Sequence, residues 1–121
     1  MSSFLDGQTD ALVLIDGLIP AGISISTVTY MEAFQGVLQN IDPKVGVQRF
    51  EQGILQIDIL PFDESVARRC AELRHQLSLE GKRVRSRALD LMIAATALEH
   101  GLTLVTRNRA DYQDIPGLAL A

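Results

Sequence analysis

The 121-residue chain has no tryptophan, two histidines and one cysteine. A single cysteine, Cys70, permits neither an intrachain disulfide nor a cysteine-based metal centre, and its apolar neighbours suggest a small buried hydrophobe. His75 and His100 fall on helical stretches in no ligand spacing, so neither is taken as a site residue. No apolar run approaches the roughly 18 residues of a membrane span. Met1 to Asp6 has neither the basic start nor the apolar core of a signal peptide. A cytoplasmic protein with no membrane contact is therefore expected. Positive charge is not in excess either: the net charge of −4 excludes a surface coated in basic residues for long nucleic-acid contacts, although not a local patch. Glycine-rich phosphate loops are missing, because "GISIS" and "GLTLVT" lead into strands rather than helix N-termini. No lysine follows Val105, which argues against a receiver domain.

What is present is a globular composition, 47% hydrophobic and 21% charged, on a length that suits one domain spanning residues 1–121. Apolar runs alternate with helical patterns, the mark of βαβ units and a mainly parallel sheet. Asp10 to Ile19 reads as a helix stopped by Pro20 and Gly22, and Ile23 to Ile25 as a short strand. Helical spacing returns from Val28 to about Leu38, then from Pro43 through Gln52, with Gly53 as punctuation. Ile54, Ile57, Ile59 and Leu60 suggest a buried strand closed by Pro61. Asp63 is a good N-cap for a helix to about Leu79 with Val66, Cys70, Leu73 and Leu77 inward. "ALDLMIAATALEHG" reads as a buried helix ending at Gly101. "LTLVT" follows as a strand, and Leu118 to Leu120 is a last short run.

Sites in open parallel sheets form outside the carboxyl ends of the strands, so acids just after strands or at the starts of helices carry weight. Glu32, Asp90 and the pair Asn108 and Asp111 qualify. Carboxylates gathered by a fold repel one another and resist desolvation, so a cluster implies a cation, and oxygen ligands alone favour Mg²⁺ or Mn²⁺. Each acid also has an ordinary explanation. Thr29 and Glu32 fit a capping box, the better reading of that pair taken alone. Asp90 could complement a helix dipole, yet Ile93, Ala94 and Ala97 place it on an inward stripe. Asn108 or Asp111 could stabilise a turn. Lys82, Arg83, Arg85 and Arg87 crowd one short span, with Arg107 and Arg109 further on; a solvated loop explains them as readily as a phosphate-binding patch does.

Taken in order, "ISTVTYMEAFQG", "ILPFDESVARRCAELRHQL", "ALDLMIAATALEHGLTLVTRNRADY" and "IPGL" closely resemble the PIN-domain family, specifically its VapC-like toxins, from about Phe4 to Leu120. The resemblance implies a three-layer α/β/α sandwich with a mainly parallel sheet. It implies a metal-dependent endoribonuclease in which a water activated on Mg²⁺ or Mn²⁺ hydrolyses an RNA phosphodiester. Glu32 matches the family acid in "SxxTxxE" and Asp90 the acid before "IAA". Asn108 and Asp111 both fall on the final motif, with Asp111 favoured for its charge; Thr106 matches the threonine closing the strand, and Arg107 is a common companion. Arg83, Arg85, Arg87 and Arg107 are then candidates to hold RNA phosphates. The implied partners are a VapB-like antitoxin, a second copy of the chain in a homodimer, and DNA only through the antitoxin.

One departure stands out. PIN domains open on a strand running into an Asp motif, and no such first strand is expected in this chain. Asp6 in "FLDG" mimics that motif, but residues 2–22 align better with the stretch beyond it, which places Met1 inside the first helix. About ten further residues are then expected upstream of Met1; failing those, a partner chain would have to fill the sheet. With the first Asp missing, poor Mg²⁺ binding and weak or no cleavage are expected. The alternative function is a catalytically inactive PIN-like module that binds an antitoxin or itself, with Phe34 and Val37 as exposed-looking apolar contacts.

Overall fold

Four short strands, all parallel, run through the centre of the computed structural model, which describes residues 4–7, 22–39 and 42–121. They are β1 (Phe4–Asp6), β2 (Ile23–Ser26), β3 (Ile59–Leu60) and β4 (Thr103–Val105), in the order β3-β2-β1-β4. Parallel neighbours require crossovers. Between β2 and β3 these are α1 (Thr27–Leu38) and α2 (Pro43–Ile54); between β3 and β4 they are α3 (Glu64–Leu79) and α4 (Ala88–His100). The helix expected over Asp10 to Ile19 lies outside the described residues.

Strand alternation sends side chains to both faces, and each face has its own core. Leu5 and Leu104 are in register and join a cluster with Val66, Cys70, Leu73 and Leu77 of α3 and Leu91, Ile93, Ala94 and Ala97 of α4. One position on, Ile25 packs with Ala33, Val37 and Phe50 from α1 and α2. Helices thus cover both faces of the sheet, as the α/β/α expectation requires. Asp63 Oδ1 accepts from Val66 N at 3.0 Å, so the predicted cap starts α3. Gly101, at φ 64°, ends α4 in the left-handed region and turns the chain directly into β4.

Two expectations fail. The sheet does not lack its first strand: β1 fills the central position, bonded to β2 on one side and β4 on the other, with Leu5 fully buried. Three residues are too few to display a periodicity, which is why the segment reads as the tail of something else. Gly7 fits this arrangement, because its N–H donates to Val105 O at 2.9 Å and a Cβ there would stand 3.0 Å from Leu104 Cδ1. The strand expected from Ile54 is the second failure. α2 continues through Gly53 to Ile54, sustained by a capped, proline-led start and by buried Phe50, and only Ile59–Leu60 pair as an edge strand. Leu120 bridges Leu104 in parallel, so the last apolar run does join the sheet.

Candidate functional site

The carboxyl end of the sheet is built from four segments. Register sets Asp6 opposite Ile25 and Val105, at the last paired position of the central strand. β2 passes straight into α1, which carries Glu32 in its second turn; β4 passes through Thr106 into the turn holding Asn108 and Asp111; and α4 starts with Asp90 in its first turn. Asp6, rejected at the level of sequence, therefore stands where the first acid belongs.

Glu32 is not a capping residue. The N-cap of α1 is Ser26, whose Oγ accepts from Thr29 N at 3.0 Å and donates to Thr29 Oγ1 at 3.2 Å. Thr29 is already inside the helix, leaving Glu32 with no orphan N–H to satisfy. Partial burial pushes the Glu32 carboxyl above its ordinary range, and the charge of Asp90 pushes it further. The charge of Asp90 on α4 is thus felt at Glu32 on α1.

Tyr112 is a member of the site that sequence reasoning missed. Its buried hydroxyl donates to Asp90 Oδ1 at 3.2 Å. Burial first, and then the charges of Asp90, Asp111 and Glu32, hold the phenol far above its usual range, so it stays a protonated donor. Of these three acids only Asp90 is in hydrogen-bond contact with the Tyr112 hydroxyl; Asp111 and Glu32 act on it through their charge. Asn108 has no such effect; its backbone N–H donates to Thr106 Oγ1 at 3.0 Å and its carbonyl accepts from Asp111 N, so it shapes the turn. Among the described residues no three acidic, imidazole or thiol groups stand close enough together to enclose an ion directly.

Arg87 corrects a sequence expectation. It is 8% exposed, and its guanidinium is committed: Nε to Arg83 O at 2.8 Å, one terminal nitrogen to Asp111 O at 3.0 Å and Asp114 Oδ1 at 2.8 Å, the other to Asp114 Oδ2 at 2.7 Å. That fork leaves little of it for an RNA phosphate. Arg87 instead ties the basic loop to the turn that carries Asp111. The Arg87 hydrogen bonds hold the Asp114 carboxyl below its ordinary range. Arg83, Arg85 and Arg107 remain exposed. No local pattern marks the Arg87–Asp114 or Tyr112–Asp90 pair, since both are closed by tertiary folding.

Comparison with known proteins now bears on this geometry. The PIN domain family model matches residues 3–118. Toxin FitB of Neisseria gonorrhoeae is 38% identical over 104 residues, covering 81% of this chain and 73% of that one. Ribonuclease VapC5 of Mycobacterium tuberculosis is 33% identical over 108 residues, covering 88% and 78%. Among solved structures, a DNA-bound VapBC from Salmonella typhimurium superimposes with a TM-score of 0.84 at 25% identity, over all of this chain and 98% of that one. A strand-end acid, a helix-start acid and an acidic turn on a parallel sheet are thus found in a chain that belongs to the PIN-domain family, in its VapC-like branch.

Proposed function

We propose that the protein is a divalent-metal-dependent endoribonuclease of the VapC type, with Asp6, Glu32, Asp90 and Asp111 as its acids. The observation that carries this reading is the placing of four acids at the carboxyl end of one parallel sheet: Asp6 ends the central strand, Glu32 follows β2, Asp90 starts α4 under the Tyr112 hydroxyl, and Asp111 lies in the turn after β4. The printed names of relatives, ribonuclease and endonuclease, support the reaction class.

The donor set suits Mg²⁺ or Mn²⁺ in kind, being oxygen throughout. Its spacing is open, which suits an ion that keeps several of its waters, as Mg²⁺ does. When bound, a divalent cation supplies an acidified water and offsets charge building on the phosphate. The chain's own residues do the rest. Asp90 and Glu32 would hold the ion, directly or through water, and the ion would offset their negative charge. Tyr112 fixes the Asp90 carboxylate by donating to one oxygen, leaving the other for the site. Asp111 orients a water, with Asn108 setting the turn that positions it. Arg83, Arg85 and Arg107 hold flanking phosphates, giving affinity without base choice.

An inactive binding module is the weaker reading, because both of its supports are gone. The first acid has a counterpart in Asp6, and Val37 is fully buried while Phe34 packs in the Tyr30–Phe50 aromatic group. With Asp6 in place, the expectation of a disabled site loses its premise. An antitoxin partner is proposed by analogy with the VapBC and FitAB complexes, DNA being reached only through it. Half-exposed Met31, Leu38 and Val45 offer such a partner apolar surface on the α1–α2 hairpin. A homodimer and a cytoplasmic location are part of the same proposal; among the described residues no helix is long and apolar enough to cross a membrane.

The test is Mn²⁺-dependent cleavage of RNA by the full chain. Asp90→Asn and Asp6→Asn are each expected to reduce it by about 100-fold or more, the scale of removing a charged group from a catalytic centre. Cleavage by wild type that survives both substitutions, or that needs no divalent ion, would refute the assignment.

A further inference from the structure

Beside the acids lies a feature of the opposite sign. A groove of about 610 Å³ runs between the last turns of α3 and the loop that enters α4, lined by Arg74, Ser78, Lys82, Arg83, Val84, Arg85 and Ser86. In a chain of net charge −4, four cations and no acid are found among the described residues that line this surface. Lys82 pairs with Glu80 at 3.1 Å and also reaches Asp114 O, whereas the guanidinium groups of Arg74, Arg83 and Arg85 have no carboxylate partner among the described residues. Unpaired guanidinium forks flanked by serine hydroxyls form a donor array suited to phosphate oxygens.

We infer that this groove is the track for a single strand of RNA flanking the scissile phosphate, with Arg74, Arg83 and Arg85 as its phosphate contacts and Ser78 and Ser86 as secondary donors. The inference rests on the ribonuclease reading and extends its substrate path to α3. Three observations favour RNA over a protein partner. Val84 is the one apolar lining residue, so an amphipathic segment finds nothing to bury. The volume has the scale of a small-ligand cleft, room for about one or two nucleotides of one strand and not for a duplex. Position is the third: the lining ends at Ser86, and α4, with Asp90 in its first turn, begins at Ala88.

The groove is also fixed relative to the acids. Arg83 O accepts from Arg87 Nε while the same guanidinium binds Asp111 O, so the loop bearing Arg83 and Arg85 and the turn bearing Asp111 share one clamp. A strand held by the first is thereby aimed at the second. Among the described residues no aromatic side chain lines the groove, and contacts to phosphate carry no base information, so binding here is largely indifferent to sequence. Specificity, where it exists, is set elsewhere.

The experiment measures anisotropy of labelled oligouridine and oligoadenosine of equal length on the full chain in EDTA, where cleavage is silent. The triple variant Arg74→Gln/Arg83→Gln/Arg85→Gln is expected to bind both at least 10-fold more weakly, with a salt slope smaller by roughly 2, from about 0.7 per lost contact on a single strand. Triple replacement by lysine, which keeps the charge, should recover most of the affinity, and Arg68→Gln, at the other end of α3, should change nothing. A thermal melt by circular dichroism guards against misfolding. Unchanged affinity and slope in the glutamine variant would overturn the inference, as would lost binding of polyglutamate with RNA binding intact, which assigns the groove to a protein. If the glutamine variant loses RNA and wild type nevertheless cuts none with Mn²⁺, the track stands and the nuclease reading alone fails.

Discussion

The two faces of the sheet are packed in different ways. Under α3 and α4 the core is aliphatic and fine-grained: Ala94, Ala95 and Ala97 let α4 settle against its neighbours, and it is buried through its whole middle. Under α1 and α2 it is coarser: among the described residues Ile25, Ala33, Val37 and Phe50 are buried there, with Phe50 the largest, edged by Tyr30 and Phe34. The acids come from both sides, Asp90 from the first and Glu32 from the second. The candidate site is therefore a seam, and stability and chemistry are carried by different residues.

That contrast can be broken most severely at Phe50. Phe50→Ala should cost about 3–5 kcal/mol, because removing a fully buried aromatic ring leaves a cavity that its packed neighbours cannot close. Chemical denaturation should show it as a lower midpoint with one transition; two transitions would mean that the faces unfold separately.

Next in size is Asp114→Asn, expected at about 1–3 kcal/mol, because buried Arg87 keeps its charge and loses its bidentate partner. Its pH signature follows from sign. The Asp114 carboxyl is held below its ordinary value, so its contribution is full above the unfolded pKa of about 4 and is lost as pH falls through the lower folded value. Wild type should therefore lose stability below pH ~4 more steeply than the Asn variant; parallel acid limbs in the two would contradict this.

Tyr112→Phe should cost less, about 0.5–1.5 kcal/mol for one hydroxyl donor. Melting curves measure the loss, and Mn²⁺ titration should show weaker binding because Asp90 is no longer held. The smallest effect on folding is expected at Glu32→Gln, within roughly 0.5 kcal/mol for an exposed side chain, yet with a clear fall in Mn²⁺ affinity. Unchanged metal affinity in that variant would instead remove Glu32 from the metal site.

Much of this was legible from residue order, and the limits have physical causes. α3, its inward stripe, α4, Gly101 and β4 could be read because a long amphipathic period or a glycine at a helix end is a local signal. Glu32, Asp90 and Asp111 could be placed because they follow such elements. β1 could not: Phe4, Leu5 and Asp6 are too short a run to show alternation, and only the pairing with β2 and β4 defines them. β3 was overdrawn because Ile54 and Ile57 are apolar for helix and turn packing rather than for a strand. Arg87 looked like one more surface cation because its partner, Asp114, is distant in sequence. Tyr112 went unnoticed for the same reason.

The central place of β1 has a consequence for when the molecule becomes what it is. Its outer neighbour is β4, and Asp6 meets Val105 only after all the residues between them have been made. Pairings this distant in sequence close late, because the intervening loop must first give up its entropy. During synthesis the early acid therefore waits, without its neighbours, until residues 103–112 emerge.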